Sequence, residues 1–155
     1  GARPNKDGIN ALSSGIANTM NTPIEALEMS FPLRVDCYEL IPGSGGAGKF
    51  RGGLGARRAW TVLENNARAS VCMERMKSPP FGIAGGGYGS AARAILRYPD
   101  GTERALPSKG AFDVPAGGQV VLEAPGSGGY GDEAERDPAH IASDRKNGYL
   151  DETGY

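Results

Sequence analysis

Histidine, cysteine, long apolar runs and excess charge are all scarce in this chain, and each scarcity excludes a class of function. His140 is the single histidine, and the two cysteines, Cys37 and Cys72, lack the close Cys-x-x-Cys spacing of zinc sites. No metal set is therefore expected in these residues. Both cysteines sit in apolar stretches, where a free thiol behaves as a small buried hydrophobe. A reducing cytosol suits them, with one disulfide left open as the alternative. No run reaches the roughly 18 apolar residues a helix needs to cross a bilayer, and no basic-then-apolar leader is present. A cytoplasmic protein with no membrane partner is expected. Seventeen Lys and Arg against eighteen Asp and Glu give a formal charge of -1. That balance supplies no basic field for phosphates, so nucleic acid is not an expected partner.

Glycine is what the chain has in abundance, 25 of 155 residues against an average usage of about 7%. It comes in clusters with no three-residue period, which excludes collagen and points to tight backbone turns. The apolar fraction of 39% omits glycine. With glycine added it passes the roughly 45–50% of globular domains, and the length fits one domain. The reading is a single domain over 1–148, loop-like over 1–21, with a mobile tail over 149–155. Gly1-Ala2-Arg3-Pro4, without an initiating Met, reads like the middle of a longer sequence, so a natural, processed or engineered cut before Gly1 is expected.

Thr22-Pro23-Ile24-Glu25 has the pattern of a helix start: Thr22 as N-cap, Pro23 at the first helical position, Glu25 closing a capping box. Ser30-Phe31-Pro32 ends that helix. Leu33–Ile41 alternates imperfectly with period two, and further strands are expected at 57–62, 67–73, 91–98, 102–106 and 119–123. Glu64-Asn65-Asn66 and Pro99-Asp100-Gly101 read as hairpin turns. Asp137-Pro138 opens a last helix through Asp144, ended by Asn147-Gly148. Six short strands with almost no helical periodicity predict a mainly β module, an antiparallel sandwich or barrel-like arrangement with glycine-rich loops and one short helix near each end.

Gly43-Ser44-Gly45-Gly46-Ala47-Gly48-Lys49 fits the first seven positions of a phosphate-binding loop. The eighth must be Ser or Thr to hold Mg²⁺ and is Phe50. The helix that should follow is replaced by Arg51-Gly52-Gly53-Leu54-Gly55. A glycine-rich β connection is the favoured reading, with anion contact at Lys49 and Arg51 as the functional alternative.

Asn21–Glu28, Phe31-Pro32-Leu33-Arg34-Val35, Tyr38-Glu39-Leu40 and Gly43–Gly55 together closely resemble the later part of the hydantoinase B/oxoprolinase family. The resemblance continues through Glu74-Arg75-Met76, Pro79-Pro80-Phe81-Gly82, Gly85-Gly86, Leu106-Pro107-Ser108-Lys109, Pro125–Asp132 and Glu135-Arg136-Asp137-Pro138. It covers nearly the whole chain. It implies a B component that pairs with an A-type subunit carrying ATP and Mg²⁺, and a small-molecule substrate that is a hydantoin or lactam. Related pairs carboxylate ketones instead. The rest of the B-type subunit is a further implied partner, and any divalent metal is expected in that earlier part. The chain is read as part of a multi-subunit enzyme and as inactive alone.

No catalytic residue is assigned. The polar cluster Asn18, Thr19, Asn21, Thr22 and Glu25 is suited to line a site, against pure capping for Thr22 and Glu25. Glu74-Arg75 before a rigid Pro79-Pro80 turn suggests an inter-subunit contact. Ser108-Lys109 invites a nucleophile-and-base reading, against a structural turn with an exposed Lys109, which is favoured. Gly45, Gly46, Gly48, Gly52, Gly53, Gly128, Gly129 and Gly131 mark ordered loops. Arg34 and Glu39 read as solvated charges, His140 as a surface or helix-end residue. A stand-alone β binding module is the alternative of another class, weakly supported because Trp60, Tyr88, Tyr98 and Tyr130 are scattered.

Overall fold

The computed structural model describes residues 1–12 and 20–150. Its elements, in chain order, are α1 (Ile24–Ser30), β1 (Leu33–Leu40), β2 (Ala56–Val62), β3 (Ala67–Cys72), β4 (Arg93–Arg97), β5 (Glu103–Ala105), β6 (Lys109–Val114), β7 (Gln119–Glu123), a 3-10 turn (Glu133–Glu135) and α2 (Pro138–Lys146). A five-stranded sheet, β1-β2-β7-β4-β5, faces a two-stranded sheet, β3-β6, and every pairing is antiparallel. The mainly β expectation holds.

Alternation decides which side chains meet between the sheets. Val62, Ala94 and Leu96 of the large sheet pack with Val71, Phe112 and Val114 of the small one, and Leu106 joins them. Leu96 and Val114 are almost wholly enclosed, each stabilising the fold by about 1.5–3 kcal/mol through lost apolar surface. The outer face carries three cross-strand rows. Glu39, Arg57, Glu123 and Arg93 form a chain of alternating charge. An apolar row, Cys37, Ala59, Val121 and Ile95, lies beside it. The third row contains Thr61, Gln119, Arg97 and Glu103.

A bulge between Val35 and Cys37 adds Asp36 to that third row. Asp36 accepts hydrogen bonds from Thr61 Oγ1 (2.6 Å), Gln119 Nε2 (2.7 Å) and Arg34 Nε (2.7 Å). Partial burial works against its charge. The bonds from Thr61, Gln119 and Arg34 outweigh it, and its pKa falls below the ordinary carboxylate value. Arg34 and Glu39 are thus the exposed ends of rows that cross the sheet.

Four local expectations are corrected. The 64–66 segment is no hairpin, because β2 and β3 belong to different sheets and the segment carries the chain across the core. The capping box at Thr22 and Glu25 does not form. Pro23 is extended (ψ 139°) and is itself the N-cap, so the helix starts at Ile24 and Glu25 falls one position short of the box. Lys109–Val114 is a seventh strand, in a stretch where the sequence suggests only a turn at Ser108-Lys109. Gly110 and Asp113 weaken its pattern, and only Phe112 and Val114 point inward. Cys72 is exposed and Cys37 half-buried, both as free thiols. The 99–101 hairpin forms as expected, with Asp100 Oδ1 accepting from Thr102 N and Oγ1. So does α2, where the Asp137 side chain accepts from Ala139 N and Pro138 opens the helix.

The remaining structure is glycine. Segments 43–55, 82–89 and 126–131 pack backbone against backbone, with hydrogen bonds running among all three: Gly46 N to Ser127 O, Gly87 N to Ala47 O, Gly129 N to Gly87 O and Ile83 N to Gly129 O. A methyl carbon at Gly52 would lie 1.8 Å from the Ser127 carbonyl oxygen, and one at Gly126 would lie 1.7 Å from that of Ser44. No side chain fits at either place. Gly126→Ala is expected to abolish cooperative folding, whereas Gly101→Ala, with nothing within 4 Å and only a positive φ of 85° to strain, should cost about 1–2 kcal/mol. Thermal unfolding of the two variants checks this, and a Gly126→Ala protein that melts like the parent contradicts the packing described.

Candidate functional site

Two features of this scaffold carry chemistry. The first is a cluster of two buried arginines, a buried aspartate and a half-buried one. Arg51 leaves the first glycine segment with its side chain 4% exposed and meets Asp144 of α2, 7% exposed, at 3.0 Å. Arg51 Nη1 also donates to Gly52 O (2.6 Å) and Asn10 Oδ1 (3.2 Å), and the Tyr149 ring lies 5.2 Å from the guanidinium. Arg136, fully enclosed, donates to Asp144 Oδ2 (2.6 Å) and to both oxygens of Asp7 (2.8 and 2.9 Å). Asp7 Oδ1 in turn accepts from Arg51 N at 2.7 Å.

The cluster is neutral as a whole, the condition under which buried charge is tolerated. It ties α2, the N-terminal segment and the first glycine segment into one body. Burial works against the Asp7 carboxylate. The bonds from Arg136 and Arg51 prevail and hold its pKa below the ordinary value. Tyr149, which the sequence puts in the tail, donates its N–H to Asp144 O and accepts from Gly43 N, so the ordered chain reaches at least that far. Residues 151–155 lie outside the described ones.

The second feature is a cleft of about 700 Å³, open on one side, with Asn21, Tyr38, Arg58, Trp60, Leu122 and Ser127 among its lining. That volume is within the range of small-molecule sites. Tyr38 pairs with Arg58 across β1 and β2, and Trp60 lies two residues along β2 on the same face. The guanidinium carbon consequently sits 4.8 Å from the Tyr38 ring centre and 4.9 Å from that of Trp60. Nη1 donates to Asn21 Oδ1 at 2.6 Å, while Nε is buried without a hydrogen-bond partner among the described residues. A fixed cation in a largely apolar hollow is suited to polarising a carbonyl or receiving an anionic oxygen.

The other residues singled out from sequence are dispersed. Thr22 and Glu25 are exposed near the mouth of α1, and Asn18 and Thr19 lie outside the described residues. Lys49 pairs with Glu135 at 2.9 Å on the surface. Glu74 and Lys109 pair at 3.0 Å, and Ser108 O accepts from Met73 N. Glu74 raises the Lys109 pKa, the opposite of what a neutral base needs. Arg75 holds a left-handed backbone (φ 63°) and its carbonyl accepts from Ala92 N. Gly45, Gly46, Gly48, Gly52, Gly53, Gly128, Gly129 and Gly131 all lie in the packed glycine layer, where a Cβ would meet neighbouring backbone or, at Gly131, the Lys49 side chain. Sequence reasoning missed Arg58 and Tyr38. The available signal was Tyr38 next to an Arg-x-Trp strand, and it needed the strand register to become visible.

The profile of the family described as hydantoinase B/oxoprolinase matches residues 1–133. The chain belongs to the hydantoinase B/oxoprolinase family. It is 36% identical over 152 residues, 97% of its own length and 26% of the relative's, to the B component of a putative D-/L-hydantoinase of Pseudomonas sp. strain NS671. The crystal structure of an ATP-dependent caprolactamase from Pseudomonas jessenii superposes on 99% of this chain and 28% of that one, with a TM-score of 0.86 at 32% identity. A nucleotide-free acetone carboxylase shares the fold at 19% identity, with a TM-score of 0.77 over 99% of this chain and 25% of that one. The chain thus spans about a quarter of the length of these relatives.

The caprolactamase is described as ATP-dependent, and in this hydantoinase B family member the stretch that resembles a phosphate cradle is the 43–49 loop. It does not fit. The N–H groups of Gly43, Ser44, Gly46, Lys49 and Phe50 donate to Tyr149, Ile41, Ser127, Gly131 and Tyr130 carbonyls, and no helix follows. Among the described residues no three His, Cys, Asp or Glu side chains group as metal ligands, and no helix is long and apolar enough to cross a membrane.

Asp144→Ala removes the carboxylate that buried Arg51 meets and one of the two that Arg136 meets, and should destabilise the chain by about 3–5 kcal/mol in urea unfolding; a loss under about 1 kcal/mol would sink the cluster as a structural tie. Asp7 has a folded pKa below its unfolded value of about 3.9. Its contribution is therefore present above that value and lost as pH falls through the folded one. Asp7→Asn should be less stable than the parent at pH 7, with the gap closing below about pH 4. A gap that does not change with pH contradicts the assignment.

Proposed function

We propose that this chain is the C-terminal part, or a separate small subunit, of the B component of an ATP-dependent enzyme that opens cyclic amides. In this reading it supplies scaffold, subunit interface and one wall of the active site. The rest of the B-type subunit supplies the facing wall, and an A-type subunit holds ATP and Mg²⁺. The observation that carries the reading is the half-open cleft around Arg58. Aromatic rings, an amide and one oriented cation match a flat, weakly polar ring whose oxygen gains negative charge as the amide is attacked. The names of the matched proteins, a hydantoinase B component and a caprolactamase, support a hydantoin or lactam as the substrate class. Glu74 and Lys109, paired at the exposed end of β3 and β6, fit a role at the interface.

The shared fold of acetone carboxylase keeps ketone carboxylation as the neighbouring chemistry, since a ketone oxygen develops the same charge. Co-expression with an A-type subunit and the earlier part of a B-type subunit decides between them. Lactam or hydantoin opening that consumes ATP is expected from the assembly and not from the isolated chain. Arg58→Ala should lower turnover by about 10- to 100-fold with assembly intact. Turnover by the isolated chain, or an Arg58→Ala assembly as active as the parent, would refute the reading; carboxylation of a ketone would move it to the alternative.

A further inference from the structure

Among the described residues, every free sheet edge but one is bulged, shortened or interrupted by glycine, devices that keep exposed edges from recruiting other strands. β1 carries the Asp36 bulge, and its Val35 N–H is taken by Glu28 Oε1 of α1 at 2.7 Å. β5 is three residues long. β6 contains Gly110 and exposes Lys109 and Asp113. β3 has no bulge, glycine or proline, and its one charge, Arg68, is exposed and directed at Asp113 of β6. Its six residues pair with β6 without a bulge or proline, and on its other side its backbone has no partner among the described residues.

That edge borders a groove of about 350 Å³. Ala67 to Val71 line it consecutively, which means the strand presents its backbone, whereas β6 contributes only the inward side chains Phe112 and Val114. The opposite wall is the inner face of the large sheet at Leu33, Trp60 and Val120, and Leu27 of α1 closes one end. Two strands cover only part of a five-stranded face, and a two-stranded ribbon is marginal by itself. The groove therefore offers a ladder of unpaired N–H and C=O groups above an apolar floor, the requirements of strand addition. Its one charged residue, Arg68, lies toward Asp113 at 3.7 Å, so the floor asks for no ion.

We infer that β3 accepts an extended segment of the remaining B-type polypeptide as a third strand of the small sheet, with apolar side chains at every second position. The occupant is argued from length: the caprolactamase chain that matches 99% of this one is covered over only 28% of its own length, which leaves a long remainder of a B-type polypeptide to supply an edge strand. The inference rests on the reading of the chain as part of a B component.

Hydrogen exchange of the isolated chain and of the co-expressed assembly tests it. In an antiparallel pair alternate amides bond to the partner. The alternate β3 amides not bonded to β6 should exchange fast in the isolated chain and slow by about tenfold or more in the assembly. If the assembly forms and is active while those amides exchange as before, the added strand is wrong and the B-component reading stands. If no assembly forms, the reading and the inference fall together. Slow exchange in the isolated chain that rises with concentration, with a dimer mass, assigns the edge to a second copy and overturns the inference.

Discussion

Backbone approach closer than any Cβ allows is the constraint on which this structure depends. Three glycine segments share one layer, and at Gly46, Gly52, Gly126 and Gly129 the space a methyl group would need is already filled by another segment's backbone. A layer of this kind gains little from buried side chains. It needs its hydrogen bonds met between segments, and they run from the first segment to the second and third and back. Conformational entropy opposes this most strongly at glycine, so an ordered glycine layer requires something rigid on either side.

The sandwich supplies one side. The charge cluster supplies the other: Arg51 sits within the first glycine segment, Asp144 and Arg136 come from the C-terminal part, and Asp7 reaches in from the N-terminal segment. The same layer provides Gly53, Leu54, Gly55 and Ser127 to the cleft beside Arg58. Function and stability are therefore coupled. The wall offered to a substrate is held in part by Asp7, Arg51, Arg136 and Asp144, none of which lines the cleft.

Much of the fold was legible because alternation and turn chemistry are local. β7 falls at the residues expected, and the starts or ends of most other strands lie within two residues. β6 was missed because glycine and aspartate interrupt its pattern, and the 64–66 turn was misread because nothing local distinguishes a hairpin from a passage between sheets. The candidate site was less legible for a related reason. Arg51 in a glycine-rich run suggests anion binding, but its partners are 93 residues away at Asp144 and 44 away at Asp7. Arg58, Tyr38 and Asn21 become one group only through strand register and a long-range hydrogen bond. Family resemblance was readable throughout, since glycine positions that admit no Cβ leave long recognisable strings.

The central claim is that glycine layer, charge cluster and cleft wall form one cooperative unit. Trp60, the single tryptophan, lies in the cleft and reports on that wall, while far-UV circular dichroism reports on the backbone as a whole. The direct measurement is urea unfolding of Arg136→Met followed by both signals. The account predicts coincident transitions, both shifted to lower urea by the same amount. A Trp60 transition that stays at the parental midpoint while the backbone signal shifts would contradict it.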